Sequence, residues 1–191
     1  MKRSVIFLFL ATVLAAPAAF AGDIYNPFTR HKEMVPVTDD RYTSECGDCH
    51  FAFQPGWLPA RSWSRLMDPR ALIDHFGDNA ELDEEDRRHI VMLLEAGAAD
   101  RSPSKRAKKV LRSIEGDDAP LRITETPYIQ RKHAEIPKKL IQDNPDVKSL
   151  ANCDACHRHA DEGIFDDDGV DIPGHGPWTG WRPFRWNTGG E

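Results

Sequence analysis

The sequence predicts a mainly α protein with extensive loop and no substantial sheet, and three observations carry that expectation. Apolar residues recur at helical spacing behind capping residues in the middle of the chain, at 83–96 and after Ser104. No stretch alternates apolar and polar residues as a half-buried strand would. The arm over 22–45, with Pro27 and Pro36, and the tail from Asp166, rich in Gly, Pro and Trp, read as irregular chain.

Taken in order, the chain opens on a basic Met1-Lys2-Arg3-Ser4, followed by an apolar run from Val5 to Leu14 and a small-residue end, Ala19-Phe20-Ala21. That order is the pattern of a cleavable secretory signal over residues 1–21, and the apolar run is shorter than the ~20 residues a spanning helix needs. Cleavage after Ala21 would leave 170 residues, exported to the periplasm, with no later stretch apolar enough to cross a membrane. Loss of Lys2 and Arg3 leaves 23 basic against 31 acidic residues, a net −8. Such an acidic surface argues against nucleic acid and anionic lipid as partners, and for a basic partner patch.

Residues 22–45 read as an irregular arm. Two short helices are expected around 61–67 and 70–76, with Gly77 as a stop. A clearer helix runs over 83–96: Asp83 offers the cap oxygen, Glu84, Glu85 and Asp86 suit the first turn, and Ile90, Leu93 and Leu94 form the apolar stripe. Ser102-Pro103-Ser104 starts another, with Val110, Leu111 and Ile114 apolar and Lys105, Arg106, Lys108 and Lys109 read as exposed. The run Glu115-Gly116-Asp117-Asp118 breaks it, and is the best boundary between an N-terminal part, 22–115, and a C-terminal part, 116–191. Beyond it come a helical turn near Thr126-Pro127 and a helix expected around 147–156. The run Asp166-Asp167-Asp168-Gly169 lacks the alternating ligands and closing Glu of a calcium loop.

The chemistry lies in the cysteines. All four fall in two copies of one pattern, Cys46-Gly47-Asp48-Cys49-His50 and Cys153-Asp154-Ala155-Cys156-His157. C-x-x-C-H is the attachment pattern of c-type haem. Two thiols one turn apart reach the two vinyl groups and become thioethers, and the next residue presents its imidazole to the iron. A zinc site would hold its cysteine pairs ~15–20 residues apart, whereas 103 residues lie between Cys49 and Cys153. Disulfides need no histidine after each pair. Two haem c groups are therefore expected, on Cys46, Cys49, Cys153 and Cys156, with His50 and His157 as proximal ligands.

Residues 45–63 (ECGDCHFAFQPGWLPARSW), 74–83 (DHFGDNAELD), 122–128 (RITETPY) and 151–157 (ANCDACH) resemble the bacterial periplasmic dihaem cytochrome c family. The likeness runs from about residue 36 to residue 173 and leaves out the tail with Trp178, Trp181 and Trp186. The resemblance implies two small helical haem-binding lobes, irons with two histidine ligands each, and electron delivery to partner proteins. Those partners would include an oxygen-binding monohaem cytochrome and a membrane b-type cytochrome.

His75, 25 residues after His50, and His133, 24 before His157, sit in or beside family-like stretches and are the expected distal ligands. Their assignment could be exchanged between the two haems, and His175 is the reserve. His89, His159 and His31 read as surface or arm residues, and Met67, Met92 and Met34 as poorer ligands. Trp57, Trp63 and Phe76 are expected to pack on haem, and Arg61 and Arg65 are candidate partners of propionates. The expected role is electron transfer, without catalysis of bond chemistry. The alternative is a dihaem peroxidase or ligand-binding sensor, which would need an open iron face and polar groups above it.

Overall fold

A computed structural model describes residues 33–178. The expected signal segment, His31, Trp181 and Trp186 lie outside them. Six α-helices, five short 3-10 segments and one short hairpin are found among the described residues, joined there by turns and irregular chain.

Helix α1, Asp40–Gly47, starts earlier than the expected end of the arm. Its start is dictated locally, because the Asp39 carboxylate accepts from the Tyr42 backbone N–H at 2.8 Å and so satisfies one of the orphan donors of the first turn. The helix carries Cys46 on its last turn. Helices α2, Ala60–Leu66, and α3, Pro69–Ile73, follow closely. Proline stands at the first position of α3, where no intrahelical N–H is needed, and Asp68 caps it.

Helix α4, Glu84–Gly97, is the long helix that the stripe predicts, capped by Asp83 on the Asp86 N–H at 2.9 Å. Ile90 and Leu94 are fully buried and Met92 faces water. Helix α5, Lys105–Ser113, is capped by Ser104 and buries Ala107 and Val110. Helix α6, Pro127–His133, ends on the basic run Arg131-Lys132-His133, which suits the negative end of the helix dipole.

The helix expected around 147–156 does not form. Lys148 sits at a positive φ of 62°, the Asn152 amide donates to Val147 O at 2.8 Å, and Ser149 Oγ accepts from the Ala151 N–H. Side chains that bond nearby backbone in this way compete with the helical ladder. What remains is one 3-10 turn, Cys153–Ala155. Residues 166–178, expected as loop, contain a short hairpin: β1, Asp171–Ile172, pairs antiparallel with β2, Gly176–Pro177, and Val170 bridges to His157.

The described residues fall within one compact unit. Its main apolar core draws Leu58, Leu94 and Val110 from before the Glu115–Asp118 break and Ile123, Tyr128, Ala160 and Phe165 from after it. The two parts of the chain thus share a core, while a smaller cluster of Ile141, Val147 and Ile172 belongs to the later part alone. One backbone crossing ties the ends of this unit together. Met34, buried, donates its N–H to Gly163 O at 2.8 Å. Gly163 has φ +76°, and a Cβ there would come within 2.9 Å of the Met34 carbonyl carbon.

Gly163→Ala therefore combines a left-handed backbone with a backbone clash that no side-chain rotation relieves. It is expected to cost about 2–4 kcal/mol, measured by denaturant unfolding followed by far-ultraviolet circular dichroism. A loss below ~0.5 kcal/mol, the level of an indifferent surface change, would show that the crossing contributes little.

Candidate functional site

Each cysteine motif presents its histidine to a second histidine brought in from elsewhere in the chain. The His50 and His75 rings face one another with centroids 6.4 Å apart and planes 27° apart. The His133 and His157 rings are 6.2 Å apart with planes at 80°. A ligating imidazole nitrogen sits about 2.0 Å from its metal with the ring centroid about 1.15 Å further back, so two rings across one iron lie about 6.3 Å apart. Both pairs have that separation. Each is a gap that an iron with two histidines would fill, which is the test a bis-histidine haem has to pass here.

The space around the second pair has the required size and character. At the second motif His133, His157, Cys153 and Cys156 line a cleft of about 530 Å³, the second cleft by its motif, with Trp57, Tyr128, Leu140, Ile141 and Val170 among its walls. That lies within the roughly 300–1,000 Å³ of cofactor sites, and its lining is largely apolar as such sites are. Cys49 and His50 of the first motif and Asp154 and Ala155 of the second line one further cleft of about 790 Å³. The two motifs therefore open onto a common space.

Local structure positions the four rings by different means. His50 follows α1, and its Nδ1 lies 2.8 Å from Phe51 O. His133 is the last residue of α6, and its Nδ1 lies 2.9 Å from Ile129 O, one helical turn back. His157 follows the 3-10 turn of its motif and packs edge-on against Phe165 at 5.3 Å. His75 leaves α3 into a tight turn closed by its own N–H, which donates to Asp78 O at 2.7 Å.

Burial favours the neutral form of His157, His133 and His75, the form that binds a metal. His157 is pushed down to about 4, first by loss of water, then by His133 and Arg106. His133 is lowered by burial against a supporting hydrogen bond to Ile129. His75 is lowered by burial, by His50 and by the Arg122 guanidinium. Burial pushes the Cys46 and Cys153 thiols up to about 12.

The other candidate ligands have other partners or face water. His175 sits exposed at the hairpin tip beside Trp178. His89 bonds the Asp39 carboxylate at 2.7 Å, and His159 bonds Glu162 at 3.0 Å. Met67 is core and Met34 is fully buried in that same core. Trp57 stands in the wall of the second cleft, edge-on to Phe165 at 4.9 Å. Trp63 is buried with its indole N–H on Pro55 O. Arg61 donates to the carbonyls of Asp118 and Gly116 and so anchors the interhelical break.

Arg106 corrects the reading of α5 as wholly exposed on its basic side. It is 8 % exposed, donates to Tyr128 Oη at 3.2 Å and Phe165 O at 3.0 Å, and pairs with Asp166 at 3.7 Å. Its guanidinium stands in the wall of the second cleft and ties α5 to α6 and to the segment after the second motif. The signal was present in the spacing, since positions 106, 110 and 114 share one helical face with two apolar residues.

Among families, the model described as dihaem cytochrome c matches residues 42–165. Among solved structures, a dihaem cytochrome c from Shewanella baltica OS155 is 40% identical with a TM-score of 0.60, covering 73% of this chain and 96% of its own. A dihaem cytochrome c from Rhodobacter sphaeroides is 43% identical with a TM-score of 0.60, over 69% of this chain and 99% of its own. A second structure from Rhodobacter sphaeroides is 38% identical with a TM-score of 0.53. No curated protein matches.

Replacing Arg106 with Ala leaves a buried carbonyl without its donor and Asp166 without this cation. The expected loss is about 2–4 kcal/mol, whereas Arg112→Ala on the exposed face of the same helix should stay within about 0.5 kcal/mol. Equal effects in denaturant unfolding would mean that Arg106 is as dispensable as a surface arginine.

Proposed function

This chain belongs to the dihaem cytochrome c family and carries two haem c groups, and from that premise we propose that it is an electron carrier between redox proteins. The observation that carries the proposal is the pair of facing imidazoles at each motif, 6.4 Å apart in one case and 6.2 Å in the other. On this reading Cys46 and Cys49 attach the first haem and Cys153 and Cys156 the second. His50 and His75 would hold the iron of the first, and His157 and His133 that of the second. The haem irons, when bound, supply the one-electron chemistry by alternating between ferric and ferrous states.

The protein's own contribution is to keep both faces of each iron taken by a neutral imidazole. With no open face there is no place for a peroxide or a gas to bind, so a carrier is favoured over a peroxidase or a sensor. Two histidines also favour the ferric state more than a histidine and a methionine do, which puts the carrier at the low-potential end. The cleft shared by the two motifs is what electron passage between haems requires, since it brings the two attachment segments to one space.

Export by the segment at 1–21 and work in the periplasm complete the proposal, because haem attachment of this type belongs with exported chains. The net charge of −8 without residues 1–21 favours redox partners that present a basic face. An oxygen-binding monohaem cytochrome and a membrane b-type cytochrome are the partners that the family resemblance suggests.

The pyridine haemochrome assay and intact mass should give two covalent haems per chain, with low-spin spectra in both oxidation states. The ring planes differ, 27° in one pair and 80° in the other. Ferric electron paramagnetic resonance should therefore show two signals: a rhombic one from the near-parallel pair and a strongly anisotropic one from the near-perpendicular pair. His75→Ala should abolish the rhombic signal and make one haem high-spin. His133→Ala should abolish the other. Single variants that both kept fully low-spin spectra would refute the ligand assignment.

A further inference from the structure

The four proposed ligands are not equally secured, and the weakest is held by something other than a hydrogen bond. A metal-ligating histidine is generally fixed through its second nitrogen, which donates to a carbonyl, a carboxylate or water. His50 and His133 have such bonds to backbone; His157 has none among the described residues, but it follows Cys156 directly and packs edge-on against Phe165 of the common core at 5.3 Å. Among the described residues neither ring nitrogen of His75 has a partner. The His75 ring has instead an aromatic neighbour, Phe76, with centroids 4.7 Å apart and planes at 60°.

Phe76 is an unusual residue for its place. His75 and Asp78 bridge across a two-residue turn whose central residues, Phe76 and Gly77, have φ of +61° and +108°. Positive φ at both centres is the mirror-image hairpin turn that favours Asn-Gly, and a bulky residue in the left-handed region is an outlier. Phe76 is also 45 % exposed. A strained, half-exposed aromatic ring is a poor way to build stability, so the ring must be held by a contact on the outside.

That contact is Arg122. Its guanidinium carbon lies 3.8 Å over the Phe76 ring, well inside the roughly 6 Å range of cation–π attraction. Arg122 comes from the other part of the chain, directly before the 3-10 turn Ile123–Glu125, whose Ile123 is buried in the common core. The cation is thus rooted in one segment and clamps a ring that belongs to another.

We infer that Arg122 and Phe76 form a clasp that holds His75 against the first iron, making both positioning residues for that haem. The inference rests on the ligand reading above. Arg122 presses the Phe76 ring, the ring fixes the imidazole beside it, and the clasp replaces the missing hydrogen bond. Loosening it lets His75 leave the iron more often, and the first haem then takes up an external ligand such as carbon monoxide. The second haem, whose distal His133 is bonded into α6, is indifferent to the clasp.

The test uses the full holoprotein, reduced, with carbon monoxide binding followed by absorbance and counted as haem equivalents per chain. His75→Ala should bind one equivalent rapidly. Phe76→Ala and Arg122→Ala should each raise the rate of binding at the first haem about three- to tenfold over the unaltered protein, the effect one cation–π contact supports. The double variant should be no faster than the faster single one, because the two side chains act as a unit. Phe76→Tyr and Arg122→Lys keep a ring and a cation and should restore most of the slow rate. Glu125→Gln, which removes the carboxylate 3.6 Å from Arg122 Nε, should leave it unchanged.

In the ferric proteins only the rhombic signal should broaden or shift. Unchanged rates in both single alanine variants, with His75→Ala binding one equivalent, would overturn the clasp and leave the ligand reading intact. Additive singles, or changes confined to the other signal, would overturn the clasp as well. If His75→Ala itself bound no carbon monoxide and stayed low-spin, the ligand reading would fall and the clasp with it.

Discussion

The structure depends on one constraint, that two imidazole rings from separate elements of the chain stand 6.4 Å apart in one pair and 6.2 Å in the other, the separation that an iron held between two histidines would need. Met twice, it explains why the elements are where they are. Helix α1 delivers the first motif and the break after α3 delivers His75. Helix α6 delivers His133, and a 3-10 turn delivers the second motif. In neither pair do the two rings come from the same element, so the spacing is a property of the tertiary fold. A shift of one turn in α6 would move His133 by about 5.4 Å, enough to destroy the pair.

The two pairs meet this constraint in different surroundings. At the second, Arg106 and Phe165 pack behind His157 and the helix carbonyl of Ile129 steadies His133. At the first, His50 has its backbone bond, but His75 hangs from a surface turn with φ positive at two successive residues. The inequality follows from where the chain can place a histidine. The end of a helix whose Tyr128 and Ile129 are buried supplies a rigid frame and a free carbonyl. A five-residue helix followed by a hairpin turn supplies neither.

Much of this was legible in the sequence because its signals are contiguous. Each motif is complete within five residues, and the caps at Asp83 and Ser104 sit immediately before the stripes they open. The distal histidines needed more, since a histidine at a helix end reads the same whether it faces an iron or water. Only their placement relative to the motifs, with the family-like stretches around them, singled out His75 and His133. Arg106 was misread because a long cationic side chain in a basic run looks solvated, although its apolar stem can lie inward. The helix expected at 147–156 was lost to local side-chain bonds from Ser149 and Asn152, which periodicity does not see. Nor does Phe-Gly announce a left-handed turn as Asn-Gly does. That turn is fixed by Arg122, 46 residues further on, a contact between segments that share no pattern.

Why so small a chain can keep these spacings follows from the lengths of its helices. Helices α2, α3 and α6 have seven, five and seven residues, below the ~12–15 at which an isolated helix is even marginal in water. Their stability must come from what they pack against. The protein's own core serves α2, through Trp63 and Leu66, and α5, through Ala107 and Val110. For α6 the packing is shared: Tyr128 and Ile129 turn into the core and also line the second cleft. A chain rich in charge and poor in sheet thus leaves room where a larger protein would place apolar side chains. The walls it builds around that room, Trp57, Phe165, Leu140 and Val170 among them, are already arranged to bury an apolar group with a histidine on either side. On the proposed reading, Cys46, Cys49, Cys153 and Cys156 would bind the group to the backbone segments that it stabilises, so the residues that carry the chemistry would also complete the core.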